Sequence, residues 1–514
     1  MDTVFQSHNA RTGEPLPGEF HEASAEQIDA ALRAAAAAFR TYRRTTAETR
    51  AAFLDRIAAG AEAAAEELIE LADAETALGR PRLPGELIRA CSGARMFAAM
   101  LREGSWVDAR VDTAIPDRKP FPKSDIRLMH RPLGPVVVFG ASNFPFAISV
   151  MGSDTVAALA VGCPVVAKAH PGHPHLCDRL AAIIRTAARE SGLPEDVFGM
   201  VHGRSHQVGA ALVTHPLTEA VAFTGSLRGG RALSDLASKR ERPIPVYAEM
   251  GSLNPVFLLP RALAARGEQI AEGFVASLTL GTGQFCTNPA MVLAHDGGDL
   301  DFFLHEAGRR VSGVTPGSML HAGIHQAYER GIAQIKALGE VQVTAQAAGA
   351  DPTRGQAAAT LFETKSESYF RHPEVLREEV FGPSSVVLRC PDAAEMVRFA
   401  EAMDGSLSAT VHGSPEDLEE YRELIETLQT KVGRLVINGY PTGLEVCPSL
   451  HHGGPYPATT HSHFTSIGLS AFLRFVRPFC FQDVPEFLLP EELHNANPRG
   501  IWRMVNGERT KSAI

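Results

Sequence analysis

The sequence predicts an α/β fold built on a doubly wound parallel sheet. Three observations predict it. Short β-branched runs alternate with helical stretches between residues 136 and 223, an Ala-rich helical segment precedes them, and a second α/β stretch runs from about Leu253 to residue 455. At 514 residues the chain has room for two to four domains.

From about Ser24 to Arg110 the pattern reads as helix after helix. Ala31 to Phe39 and Ala51 to Leu54 have high helix propensity, and Ser24 followed by Gln27 has the spacing of a capping box. The period changes at Val136-Val137-Val138-Phe139, bounded by Gly134-Pro135 and Gly140, which reads as a buried strand. A helix over 149–161, a strand ending at Lys168, a helix over 175–190, a strand from Val197 to Val201, a helix over 206–213 and the strand Ala220 to Phe223 follow. That is βαβ spacing. In the second stretch Ser384 to Leu388 and Leu435-Val436-Ile437 are the clearest strands, and Phe472 to Phe479 alternates like one half-buried strand.

The net charge of -10 argues against nucleic acid as a main partner, because phosphate binding needs clustered Lys and Arg. The N-terminus lacks a basic region followed by an apolar one, and no run of 18 apolar residues occurs. Seven scattered cysteines without a C-x-x-C pair fit a reducing compartment. The expectation is a cytoplasmic protein with no membrane contact.

Three segments suggest chemistry. Cys286 lies in Gly281-Thr282-Gly283-Gln284-Phe285-Cys286, where glycines let backbone approach a ligand and a thiolate would be a nucleophile. A buried structural cysteine in a turn is the other reading. Glu249, after an apolar run and before Met250-Gly251, suits a general base at a strand end, or an ordinary exposed Glu. Asn143 follows a strand, where its amide suits an oxyanion donor or a helix cap.

Taken together, "FGASNFPF" at 139–146, "VVAKAHP" at 165–171, "FTGS" at 223–226, "EMGSLNP" at 249–255, "GQFC" at 283–286 and "EEVFGP" at 378–383 resemble the aldehyde dehydrogenase superfamily over nearly the whole chain. The resemblance implies that Cys286 attacks the aldehyde carbon, that Asn143 and the Cys286 amide hold the oxyanion, and that Glu249 activates the water that hydrolyses a thioester. It implies an NAD or NADP cofactor met by Lys168, Gly203, Arg204, Gly225, Ser226, Gly251, Glu379 and Phe381. No G-x-G-x-x-G stands in the first βα turn, as in this family.

The sequence departs from the family at Pro171, where many members carry a Glu that repels a 2′-phosphate. With Arg204 nearby, NADP is expected to serve at least as well as NAD. Ser142 replaces the usual Trp. "SNFPF", "KAHPGHP", "GGPYPATTHSHFTSIG" and the tail "FLRFVRPFCFQDVP" resemble the branch of α-ketoglutaric semialdehyde and NADP-dependent fatty aldehyde dehydrogenases, and the tail favours the former. His461 and Ser462 are candidates for a substrate carboxylate, and Phe144, Met151 and Phe285 for tunnel walls.

The rival classes are a metal hydrolase, a thiol esterase or acyltransferase using Cys286, and a non-catalytic relative. The histidines at 170, 173 and 175 are interrupted by prolines that exclude the i, i+4 helical spacing of metal hydrolases, so no metal is expected. The expected architecture is a cofactor domain over 1–118 and 135–250, a catalytic domain over 251–460, and oligomerisation strands at 119–134 and 471–482. The last pairing follows from the resemblance, and implies a homodimer or homotetramer.

Overall fold

A computed structural model describes residues 4–514. The first sheet has five strands, in the order Phe198–Val201, Val165–Lys168, Val136–Phe139, Ala220–Thr224, Val246–Glu249. Every neighbouring pair is parallel. Strands covered on both faces have no polar side to show, which is why Val136–Phe139 is buried throughout. The chain reverses direction across the sheet between Val136–Phe139 and Ala220–Thr224. Ligands of open α/β sheets sit beyond the carboxyl ends of the strands near such a reversal. Lys168 and Glu249 close two of these strands, and the Asn143 and Gly225 loops follow two others.

Helices cover this sheet. Ala25–Tyr42 begins with the capping box that Ser24 and Gln27 predict. Ala47–Ala63 packs on Leu83–Glu103, and both feed the core that includes Val136, Val138 and Phe146. The helical run ends before Arg110: Gly104, at φ +86°, caps the last helix, and Arg110–Asp112 is a strand.

The second sheet has seven strands, ordered Gln342–Gln346, Thr360–Lys365, Ser384–Cys390, Met291–His295, Val256–Leu258, Ser406–His412, Val432–Ile437. Only the first of them is antiparallel to its neighbour. The third sheet joins Val476–Gln482, Ile126–Pro132, Arg110–Asp112, Arg503–Val505 and Glu508–Thr510. Val476–Gln482 runs antiparallel to Ile126–Pro132 from Val476 opposite Pro132 to Gln482 opposite Ile126.

Residues Phe472 to Phe479 do not form one strand. Leu469–Phe475 is a 3₁₀ turn and the strand starts at Val476. Phe472 and Phe475, three apart, both enter the first core, which a strand's two-residue alternation does not permit. The C-terminal hairpin is signalled by Asn506-Gly507, both at positive φ, the turn residues of a two-residue β-hairpin. Among the described residues no helix is long and apolar enough to cross a membrane.

Candidate active site

Cys286 follows a 3₁₀ turn, Leu280–Gly283, in which Gly281, Thr282 and Gly283 all have φ near +60°. Gly283 has no alternative here. A Cβ on it would stand 2.4 Å from the backbone of Gly382 and Pro383. Asn254, fully buried at φ +47°, fixes the loop from below: its Nδ2 donates to the carbonyls of Cys286 (2.9 Å) and Asn288 (3.0 Å). Ser252 and Ser408 donate to its Oδ1, so this amide is committed to structure.

The thiol faces two ionisable groups from other elements. Cys286 Sγ is 3.5 Å from His452 Nε2, which is 3.1 Å from Glu249 Oε1. The three ligand-type atoms lie within 4.8 Å of one another. Glu249 ends a strand of the first sheet, and His452 arrives on the loop after the last strand of the second. The Ser466 hydroxyl donates to Glu249 Oε2, and Ser466 Oγ also lies 3.2 Å from the His452 carbonyl. Burial pushes the Glu249 carboxyl up, but His452 and Ser466 outweigh it and hold the carboxyl below the usual range. For Cys286, burial, then the charges of Glu249 and Glu379, push the thiol well above its usual value.

Asn143 is buried, and its Nδ2 donates to the Gln284 carbonyl at 3.1 Å, two residues before the cysteine. An amide has two N–H groups, so one remains for an oxyanion. Its loop is pinned from the helix Leu83–Glu103 and the residue before it. Glu86 accepts from the amides of Phe146 (2.9 Å) and Ala147 (3.2 Å), and Arg82 donates to the Asn143 carbonyl. The Arg82 guanidinium lies 4.8 Å from the rings of both Phe144 and Phe285, and 3.4 Å from Glu86.

A cavity opens onto this cluster. Cys286, His452, Phe144 and Phe285 line it, with Met96 and Phe97 from the helix opposite. Arg89, two turns before Met96 on the same helix, also lines it, and makes no hydrogen bond or ion pair among the described residues. Met151 is not on this wall. It is fully buried in the first core, which also holds Val150 and Val156. Nor do His461 and Ser462 reach the cavity. Thr460 hydrogen-bonds to Val246 and Ala248 along the edge of the first sheet, turning both residues outward, with His461 against Tyr247.

A nucleotide cofactor fits the residues beyond the first sheet. Lys168 is a mostly buried cation without an ion pair among the described residues, brought down to about 8 by burial. Ser226 caps the helix Leu227–Ser238, and a Cβ on Gly225 would meet Phe223 at 2.6 Å, so a bare, exposed backbone is left at that helix N-terminus. Burial raises Glu379 to about 8, and a Cβ on Gly251 would stand 2.7 Å from its Oε2. Phe381 is partly buried beside it in sequence. A Cβ on Gly203 would meet Val208 at 2.7 Å. Arg204 is exposed, but its amide and that of Ser205 donate to Glu22, an anion close to Lys168.

His452 and Ser466 were not among the residues that sequence reasoning selects. The signal was the Gly453-Gly454 pair, which lets the His452 loop lie against Ser406 and Phe464 backbone.

The comparisons agree with this geometry. The profile described as "Aldehyde dehydrogenase family" matches residues 2–470. The chain is 47% identical to alpha-ketoglutaric semialdehyde dehydrogenase 2 of Azospirillum brasilense, over 98% of this chain and 96% of that one. It is 43% identical to alpha-ketoglutaric semialdehyde dehydrogenase of Acinetobacter baylyi, over 99% and 96%. Among solved structures, a 1-pyrroline-5-carboxylate dehydrogenase variant of Thermus thermophilus superposes with TM-score 0.79 at 24% identity, covering 94% of this chain and 90% of that one, which speaks for the fold. A cysteine-bearing loop, a carboxylate at a strand end and matching architecture thus coincide with homology along the chain: it belongs to the aldehyde dehydrogenase family.

Proposed function

We propose that this aldehyde dehydrogenase oxidises 2,5-dioxopentanoate to 2-oxoglutarate, with NADP or NAD as acceptor. The observation that carries the reading is a cavity with Cys286 and His452 on its wall and an uncommitted Arg89 also facing it. An aldehyde with a carboxylate at its far end calls for one nucleophile and one cation. Glu86, three residues from Arg89, does not neutralise it, because its carboxylate is buried against Arg82 and two amides. The names of the two relatives at 47% and 43% identity support the same substrate.

In this reading the Cys286 thiol passes its proton to the His452–Glu249 pair, and the thiolate adds to the aldehyde carbon. The free N–H of Asn143 and the Cys286 amide take the oxyanion. Lys168, Gly203, Arg204, Gly225, Ser226, Gly251, Glu379 and Phe381 are the residues that would hold the cofactor, which would supply the hydride acceptor. Glu249, held ionised, then draws a proton from the water that attacks the thioester. Pro171, Lys168 and Arg204 support acceptance of a 2′-phosphate, and Glu22 opposes it.

The apolar wall of Met96, Phe97 and Phe144 favours a second reading, an aliphatic aldehyde. Kinetics with 2,5-dioxopentanoate, a neutral pentanal and both cofactors separate the two. The first reading expects kcat/KM for the oxo-acid to exceed that for pentanal by ten-fold or more, a difference of about 1.4 kcal/mol. Equal values refute it. The exposed edge of Val476–Gln482, which carries Phe479, supports a homodimer or homotetramer. Free cysteines support a reducing, cytoplasmic setting.

A further inference from the structure

The catalytic cluster has a second chemical aptitude. Thiolate, imidazole and carboxylate are the ligands zinc prefers, at Zn–S about 2.3 Å and Zn–N or Zn–O about 2.0–2.1 Å. A tetrahedral ion bound at those lengths sets sulfur and nitrogen about 3.5 Å apart and nitrogen and oxygen about 3.3 Å apart. Cys286 Sγ and His452 Nε2 are already 3.5 Å apart, and His452 Nε2 and Glu249 Oε1 are 3.1 Å apart. Glu249 Oε1 is buried and receives no hydrogen bond of good geometry, so it has a lone pair to give. His452 and Glu249 are each nearly sealed from solvent, held by Thr465 and Ser466. The cavity at Cys286 leaves room for a fourth ligand, water.

We propose that Cys286, His452 and Glu249 form a preorganised, reversible inhibitory site for zinc or a similarly soft divalent cation. Binding replaces the thiol proton, which leaves to solvent, with a metal–sulfur bond. No electrons move. The bound ion occupies the sulfur that must attack the aldehyde, so enzyme activity falls while the thiol is shielded from oxidation and alkylation. The site requires the histidine, so it does not follow from a catalytic cysteine and glutamate alone.

The test uses the full-length enzyme with ZnCl2 at buffered free-metal concentrations. One zinc per chain is expected after gel filtration, with loss of turnover and of iodoacetamide labelling at Cys286, both restored by EDTA. His452→Gln and Glu249→Gln are each expected to weaken zinc binding, read by metal analysis, by at least about ten-fold. Cobalt in place of zinc is expected to give a sulfur-to-metal charge-transfer band with tetrahedral ligand-field absorption on the wild-type protein. This reading needs no folded variant. Absence of bound zinc, a cobalt spectrum without sulfur ligation, or equal zinc affinity in wild type and the folded His452→Gln variant would overturn the site.

Discussion

Replacing Arg82 with Met tests how Asn143, the proposed oxyanion donor, is held. The guanidinium stands 4.8 Å from two aromatic rings, donates to the Asn143 carbonyl and pairs with the fully buried Glu86. Methionine keeps much of the apolar volume but removes the charge. Each ring contact contributes about 0.5–2 kcal/mol, and the charged hydrogen bond about 1.5–3 kcal/mol. These overlap with the cost of leaving Glu86 buried without its counter-charge, about 3–5 kcal/mol for a broken buried pair. Glu86 keeps the amides of Phe146 and Ala147, so about 3 kcal/mol is the expected loss. With the Asn143 loop freed, kcat/KM is expected to fall about 100-fold. The pH dependence has a definite sign. Burial raises the Glu86 carboxyl in the folded protein. A group raised on folding favours the fold below its unfolded pKa and ceases to do so as pH rises through its folded value. Removing Arg82 raises Glu86 further, so the deficit is largest near pH 8 and narrows toward pH 5. Urea denaturation of both proteins across that range, with steady-state kinetics, measures both effects. A loss under about 1 kcal/mol, or a deficit that widens on acidification, would refute the reasoning.

Glu249→Gln removes the charge beside the thiol, so iodoacetamide labelling of Cys286 is expected to move to lower pH. The same variant is expected to release a burst of reduced cofactor and then stall on the thioester; single-turnover kinetics without a burst would remove Glu249 from hydrolysis. Arg89→Gln is expected to raise KM for 2,5-dioxopentanoate about ten-fold with kcat less affected, and Arg89→Lys to recover part of it. Arg204→Ala is expected to lower kcat/KM for NADP about ten-fold relative to NAD, and Glu22→Gln to shift the ratio toward NADP; paired cofactor titrations check both.

The first sheet was legible because each of its strands is a short apolar run closed by Gly or a polar residue, a signal that needs no tertiary information. The Cys286 loop was legible through its glycines, which positive φ and the backbone of residue 382 require. Met151 misled because an apolar residue after the Asn143 loop fits a tunnel wall and a core equally well, and only its burial in the first core decides. His461 and Ser462 misled for a related reason: their chemistry suited a carboxylate, but the hydrogen bonds of Thr460 decide which way the loop faces. The Gly453-Gly454 pair marked the His452 loop but not its partners, because Glu249 and Cys286 are 203 and 166 positions away in sequence. The Phe472 to Phe479 run shows the same limit at the level of an element, since its first half obeys a three-residue spacing set by the first core.

Gly283 touching the chain at Gly382 and Pro383 has a consequence for how this enzyme can vary. Asn288 Nδ2 also donates to the Gly382 carbonyl at 3.0 Å. The segment bearing Cys286 and the segment bearing Glu379 and Phe381 are thereby welded at one point. Neither drifts without dragging the other, so the distance between the Cys286 sulfur and the Glu379 segment is set by main chain rather than by side chains that mutation readily alters. Specificity for new aldehydes has to evolve on the opposite wall, along Leu83–Glu103, where Arg89, Met96 and Phe97 meet the cavity.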